Sequence, residues 1–87
     1  MDRVDGKITI VTGGSSGIGK AAALAFHREG ARVVVADANV EGGEATVEMI
    51  KKAGGEAIFI KTDVSNPMDV ESMVHKTIEA YGRIDCA

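Results

Sequence analysis

The chain has 87 residues, enough for one small domain but not for a second hydrophobic core. Hydrophobic residues make up 45% and charged residues 26%, a balance that argues against intrinsic disorder and fits a globular chain. A net charge of −3 and an aromatic content of 3% argue against nucleic acid or an anionic membrane as partner, and no apolar run approaches the roughly 18 residues of a membrane span.

Met1-Asp2-Arg3-Val4-Asp5 has no apolar secretory region behind it, and the single cysteine, Cys86, has no internal partner; both point to a cytoplasmic protein. Lys7 to Val11 reads as a first strand, near-continuously apolar as expected for a parallel strand covered on both faces. Lys20 to Glu29 reads as a helix closed by Gly30, with Ile18, Ala22, Ala25 and Phe26 facing inward and Lys20, His27, Arg28 and Glu29 outward. Between them Thr12-Gly13-Gly14-Ser15-Ser16-Gly17-Ile18-Gly19 falls at a strand-to-helix turn. A helix start carries unpaired backbone N–H groups and partial positive charge, so a pyrophosphate can sit there without a dedicated cationic side chain. Gly13 would permit the tight turn, Gly17 would let the backbone approach a ligand, and Gly19 would let the helix pack close to the strand.

Ala31 to Asp37 reads as a second strand ended by an acid. Asp37 lies roughly 20 residues beyond the glycines, where a dinucleotide site places the carboxylate that accepts hydrogen bonds from the adenosine ribose. A carboxylate there repels a 2′-phosphate, and Ala38-Asn39-Val40 supplies no Arg or Lys, so NAD is favoured over NADP. The alternative is a turn or capping aspartate. Asn39 can cap a second helix running to about Ala53, with Val40, Val47 and Ile50 inward; Gly42-Gly43 weakens its first turn and predicts fraying. Glu56 to Val64 reads as a third strand, which would bring Asp63 to the same sheet edge as Asp37 and the glycine turn. The alternative for Asp63 is a turn or cap ahead of Ser65-Asn66-Pro67. Ser65 or Asn66 opens a third helix with Val70, Met73, Val74, Thr77, Ile78 and Tyr81 inward, Gly82 ends it, and Arg83 to Ala87 begins a fourth strand.

Other chemistry-bearing residues read as structural. His27 and His75 lie on polar helix faces without a second ligand at metal spacing, so no metal site is expected. Cys86 reads as a small core residue, Met49, Met68 and Met73 as gap-fillers, and Lys51-Lys52 as a solvated face. Gly14-x-x-x-x-Gly19-Lys20 also matches the start of a P-loop for nucleotide phosphates, but Ala21 stands where that motif needs a hydroxyl for magnesium.

Thr12-Gly13-x-x-x-Gly17-Ile18-Gly19 departs from the Gly-x-Gly-x-x-Gly fingerprint and resembles the cofactor motif of the short-chain dehydrogenase/reductase family. Asp63-Val64 resembles the same family's adenine contact, and Gly82-Arg83-Ile84-Asp85 its approach to the fourth strand. The resemblance implies an α/β fold with a Rossmann-type parallel sheet, βαβαβα plus the start of a fourth strand, an incomplete doubly wound fold. It implies that residues 1–87 are the N-terminal part of a single NAD-binding domain, with cofactor contacts at Gly13, Ser15, Ser16, Gly17, Ile18, Gly19, Asp37, Asp63 and Val64. No catalytic residue is expected among them: the family's Ser and Tyr-x-x-x-Lys would lie downstream, and Tyr81 has Asp85 where the Lys would be. A longer native chain would oxidise an alcohol or reduce a carbonyl with NAD(H); a chain ending at Ala87 would be a non-catalytic NAD-binding or dimerising module. The order third, second, first, with the fourth strand beside the first, leaves a stub edge that predicts self-association.

Overall fold

The computed structural model describes residues 7–13 and 17–82. Its elements are β1 (Ile8–Thr12), α1 (Gly17–Arg28), β2 (Arg32–Asp37), α2 (Val40–Lys52), β3 (Ala57–Lys61) and α3 (Pro67–Tyr81). The strands form one parallel sheet in the order β1-β2-β3, as expected. The register sets Ile8 beside Arg32 and Thr12 beside Ala36, then Val33 beside Ala57 and Asp37 beside Lys61. The expected fourth strand at Arg83 to Ala87, with Cys86, lies outside the described residues, as do Gly14, Ser15 and Ser16.

Each strand buries side chains on both faces, which explains its apolar run. Val11, Val33, Val35 and Ala57 face the α1 and α2 side, where Ala23, Val47 and Ile50 complete a core. Ile8, Ile10, Val34, Ala36 and Ile60 face the other side, where α3 contributes Met73. Helices on both faces of a parallel sheet are the Rossmann-type arrangement. Val33 to Ala36 are fully buried, as befits a central strand.

Several helix faces differ from expectation. Helix α1 starts at Gly17 rather than Lys20, and its buried residue is Ala23, flanked by Ala22, Leu24 and Phe26. Ile18 is 89% exposed and Ala25 is also exposed, so the contact stripe of this helix is narrower than expected. Val40 and Ile78 are expected inside and lie exposed, whereas Thr46, not expected there, is buried, and Thr77 is buried as expected; each threonine donates its hydroxyl to a carbonyl one turn back, Gly42 O and Met73 O. Met73 fills the core, but Met49 and Met68 are exposed. Strand β3 is shorter than the expected Glu56 to Val64, and Asp63 and Val64 lie in the turn after it.

Gly43 is a required contact and not a weak point. It is buried in α2, and a Cβ there would overlap the ring of Phe59 from β3, so the glycine lets this helix lie against the sheet. The expected cap is present: Asn39 accepts from Gly42 N at 3.0 Å. Asn66 caps α3 through Met68 N at 3.0 Å with Pro67 in the first turn, and Gly82 closes the helix through Ile78 O.

Candidate functional site at the carboxyl edge of the sheet

The three strands end on one edge, and backbone hydrogen bonds carry the alignment past their last residues. Gly13 N donates to Ala36 O at 2.9 Å, and Thr62 N donates to Asp37 O at 3.0 Å. Gly13, Asp37 and Thr62 therefore stand side by side, with Asp63 one residue further. Gly13 adopts φ +71°, a left-handed conformation that glycine takes at little cost, and this turns the chain out of β1 toward α1. Gly17, Ile18 and Gly19 form the start of that helix. The structure thus gathers Gly13, Gly17, Ile18, Gly19, Asp37, Asp63 and Val64 at one edge; Ser15 and Ser16 lie outside the described residues.

Helix α1 differs electrostatically from its two neighbours on this edge. Helix α2 carries Glu41 in its first turn and α3 carries Asp69, while α1 carries no acid there. The partial positive charge of the α1 N-terminus is therefore not offset by a first-turn carboxylate, which suits it to an anionic group. The sequence contains this signal in Gly17-Ile18-Gly19-Lys20.

The two acids at the strand ends are oriented by their own turns. Asp37 is half-buried, and its Oδ1 accepts from Asn39 N at 2.9 Å. Asp63 is exposed, and its Oδ1 accepts from Ser65 Oγ at 2.6 Å and Ser65 N at 3.0 Å. These bonds, the hydroxyl's first, hold its carboxyl below the ordinary carboxylate value, against a small opposing effect of desolvation. The turn reading and the edge reading of Asp63 thus coexist: one oxygen is committed to Ser65 while the residue stays open to solvent. Large apolar side chains also stand exposed at this edge, with Ile18 in the α1 first turn, Val64 at 61% and Met68 at 79%. Bare apolar groups on a rim of polar backbone form a surface on which a planar ring can lie.

Two clefts lie elsewhere. One of about 310 Å³ is lined by His27, Gly30, Ala31, Arg32, Gly54, Gly55 and Glu56 at the opposite edge of the sheet. There His27 abuts Gly55 so closely that a Cβ on Gly55 would overlap the imidazole, so His27 is a packing residue and not the solvated one expected. Arg32 pairs with Glu56 at 3.2 Å and lies 5.9 Å from the Tyr81 ring centroid. Burial, and then Glu56, push the Tyr81 hydroxyl up against the opposing pull of Arg32. Tyr81 is thus a packing residue far from the glycine turn, as expected. The other cleft, about 350 Å³, lies between α2 and β3 around Val47, Ile58 and Phe59. Among the described residues no cluster of three potential metal ligands occurs, and no helix is long and apolar enough to cross a membrane.

A family model described as short chain dehydrogenase matches residues 7–86. An uncharacterized oxidoreductase of Thermotoga maritima is 50% identical over 80 residues, covering 92% of this chain and 31% of that protein. Among solved structures, a hydroxysteroid dehydrogenase from Escherichia coli superposes with a TM-score of 0.93 at 34% identity, covering 97% of this chain and 36% of that one. A short chain dehydrogenase/reductase from Burkholderia phymatum in complex with NAD superposes with a TM-score of 0.92 at 36% identity, covering 97% of this chain and 30% of that one. The chain therefore spans about a third of the length of the proteins it matches.

Proposed function

The chain belongs to the short-chain dehydrogenase family, whose members use a nicotinamide cofactor, and on that premise we propose that it binds NAD(H) across the carboxyl edge of its sheet. The pyrophosphate lies over the turn from Gly13 to Gly19, with Ser15 and Ser16 as further contacts and the α1 N-terminus supplying amides and partial charge. Asp37 accepts from the adenosine ribose and disfavours a 2′-phosphate, so NAD is taken in preference to NADP. Asp63 accepts from the exocyclic amine of adenine, Val64 lies along the ring, and Ile18 is an apolar contact at the α1 start. The observation that carries this reading is the Gly13 N to Ala36 O hydrogen bond, which sets the glycine turn and Asp37 side by side.

Bound NAD(H) supplies hydride exchange; these residues supply binding and orientation. We assign the protein's activity as oxidation of an alcohol or reduction of a carbonyl. The acid/base group for that step is assigned outside these 87 residues, because the single tyrosine, Tyr81, packs against Arg32 at the opposite edge. The domain assignment of residues 1–87, the cytoplasmic location expected from one cysteine, and self-association belong to the same proposal. Calorimetric titration with NADH, NADPH and Mg-ATP tests the reading. Tightest binding of NADH supports it, and binding of Mg-ATP alone overturns it in favour of a P-loop function.

A further inference from the structure

Asp63 is held in place more firmly than an exposed turn residue requires. Its carboxylate Oδ1 accepts from the Ser65 amide at 3.0 Å and hydroxyl at 2.6 Å. Its carbonyl accepts from Asn66 N at 2.9 Å, and its own N–H donates to Asp69 Oδ2 at 3.0 Å. The last bond departs from ordinary helix capping. An acid three residues after an N-cap usually reaches back to the cap's own N–H. Here Asn66 is the cap and Asp69 is that acid, but the Asn66 N–H is already bonded to Asp63 O. The Asp69 carboxylate instead reaches three residues further back and fixes the backbone of Asp63.

Capping α3 does not need this bond, because Asn66 already accepts from Met68 N. Its effect falls on the direction in which Asp63 leaves β3, and through it on the carboxylate. We infer that Asp69 is a positioning residue for the adenine end of the bound cofactor, holding Asp63 so that its carboxylate meets an exocyclic amine without first having to be ordered. This inference rests on the reading of Asp63 as the adenine acceptor. Pre-ordering of an acceptor raises affinity by removing an entropic cost from the bound state.

The test compares NAD with nicotinamide hypoxanthine dinucleotide, in which a carbonyl oxygen replaces the exocyclic amine. Both are titrated calorimetrically into the unaltered chain and into Asp63→Ala, Asp69→Ala, Asp69→Asn and Ser65→Ala. The unaltered chain binds NAD more tightly than the analogue, and Asp63→Ala abolishes that preference. Asp69→Ala shrinks the preference roughly three- to tenfold, the range of one hydrogen bond, Asp69→Asn restores most of it through its remaining carbonyl acceptor, and Ser65→Ala shrinks it with the α3 cap intact. If Asp63→Ala erases the preference while Asp69→Ala weakens both dinucleotides equally, Asp69 is merely structural and the inference fails. If Asp63→Ala leaves the preference in place, the reading of Asp63 fails instead.

Discussion

Gly13 donates its amide to Ala36 O at 2.9 Å, so β1 stays paired with β2 for one residue beyond Thr12 before the chain turns away. The bond fixes how far apart the glycine turn and Asp37, the proposed phosphate and ribose contacts, can be, because Asp37 directly follows Ala36. A dinucleotide that spans both meets groups whose spacing is set by the sheet and not by a loop.

Gly13 and Gly17 separate fold from binding. A Cβ at either position meets nothing within 4 Å, but only Gly13 has positive φ, +71°. Gly13→Ala is expected to lower stability by about 1–2 kcal/mol through backbone strain. Gly17→Ala is expected to leave stability unchanged, or raise it by up to about 1 kcal/mol, while weakening NADH binding by removing the space for close backbone approach. Urea unfolding beside calorimetric titration reads both; equal loss of binding and stability in Gly17→Ala would count against a ligand role for that glycine.

Asp37→Ala is expected to narrow the preference for NADH over NADPH by roughly tenfold or more, since a charged acceptor and a repulsive group disappear together. The ratio of the two dissociation constants checks this. An unchanged ratio would remove Asp37 as the selector.

Gly43→Ala is expected to cost about 1–3 kcal/mol, because the new methyl overlaps the Phe59 ring in a packed core. Thermal unfolding of this variant and of Gly43→Ala with Phe59→Leu checks the cause. Partial recovery in the double variant is the expected result, and no recovery would place the strain elsewhere.

The Asp63 turn is sensitive to acid. Its carboxyl is held below the ordinary value of 3.8, so its contribution to stability is present above that value and is lost as pH falls through the lower folded one. Ser65→Ala is therefore expected to melt below the unaltered chain at pH 6, with the gap closing below pH ~3.8. A gap that persists unchanged in acid would show that the Ser65 hydroxyl acts through something other than the Asp63 carboxylate.

Most of the scaffold was legible because it is written in local chemistry. The run Val33 to Ala36 signals a strand buried on both faces, and Asn39, Asn66 and Gly82 mark helix ends by side-chain acceptor or backbone freedom. The inward face of α1 is less legible because the glycine-rich turn merges into the helix, so an apolar pattern that includes Ile18 points away from the contact stripe at Ala23. The role of Gly43 was hidden because it depends on Phe59, a residue distant in sequence. The edge location of Asp37 and Asp63 could be inferred from strand polarity. The Ser65 bond to Asp63 was signalled by a serine placed two residues after an aspartate, whereas the reach of Asp69 past its own cap was not.

The most direct test follows backbone amide resonances of the chain during titration with NAD. Shifts concentrated at Gly13, Gly17 to Gly19, Asp37, Asp63 and Val64, with His27, Gly55 and Glu56 unmoved, are the expected result. Shifts centred on His27, Gly55 and Glu56, with the glycine turn and Asp37 still, would contradict a dinucleotide site at the carboxyl edge.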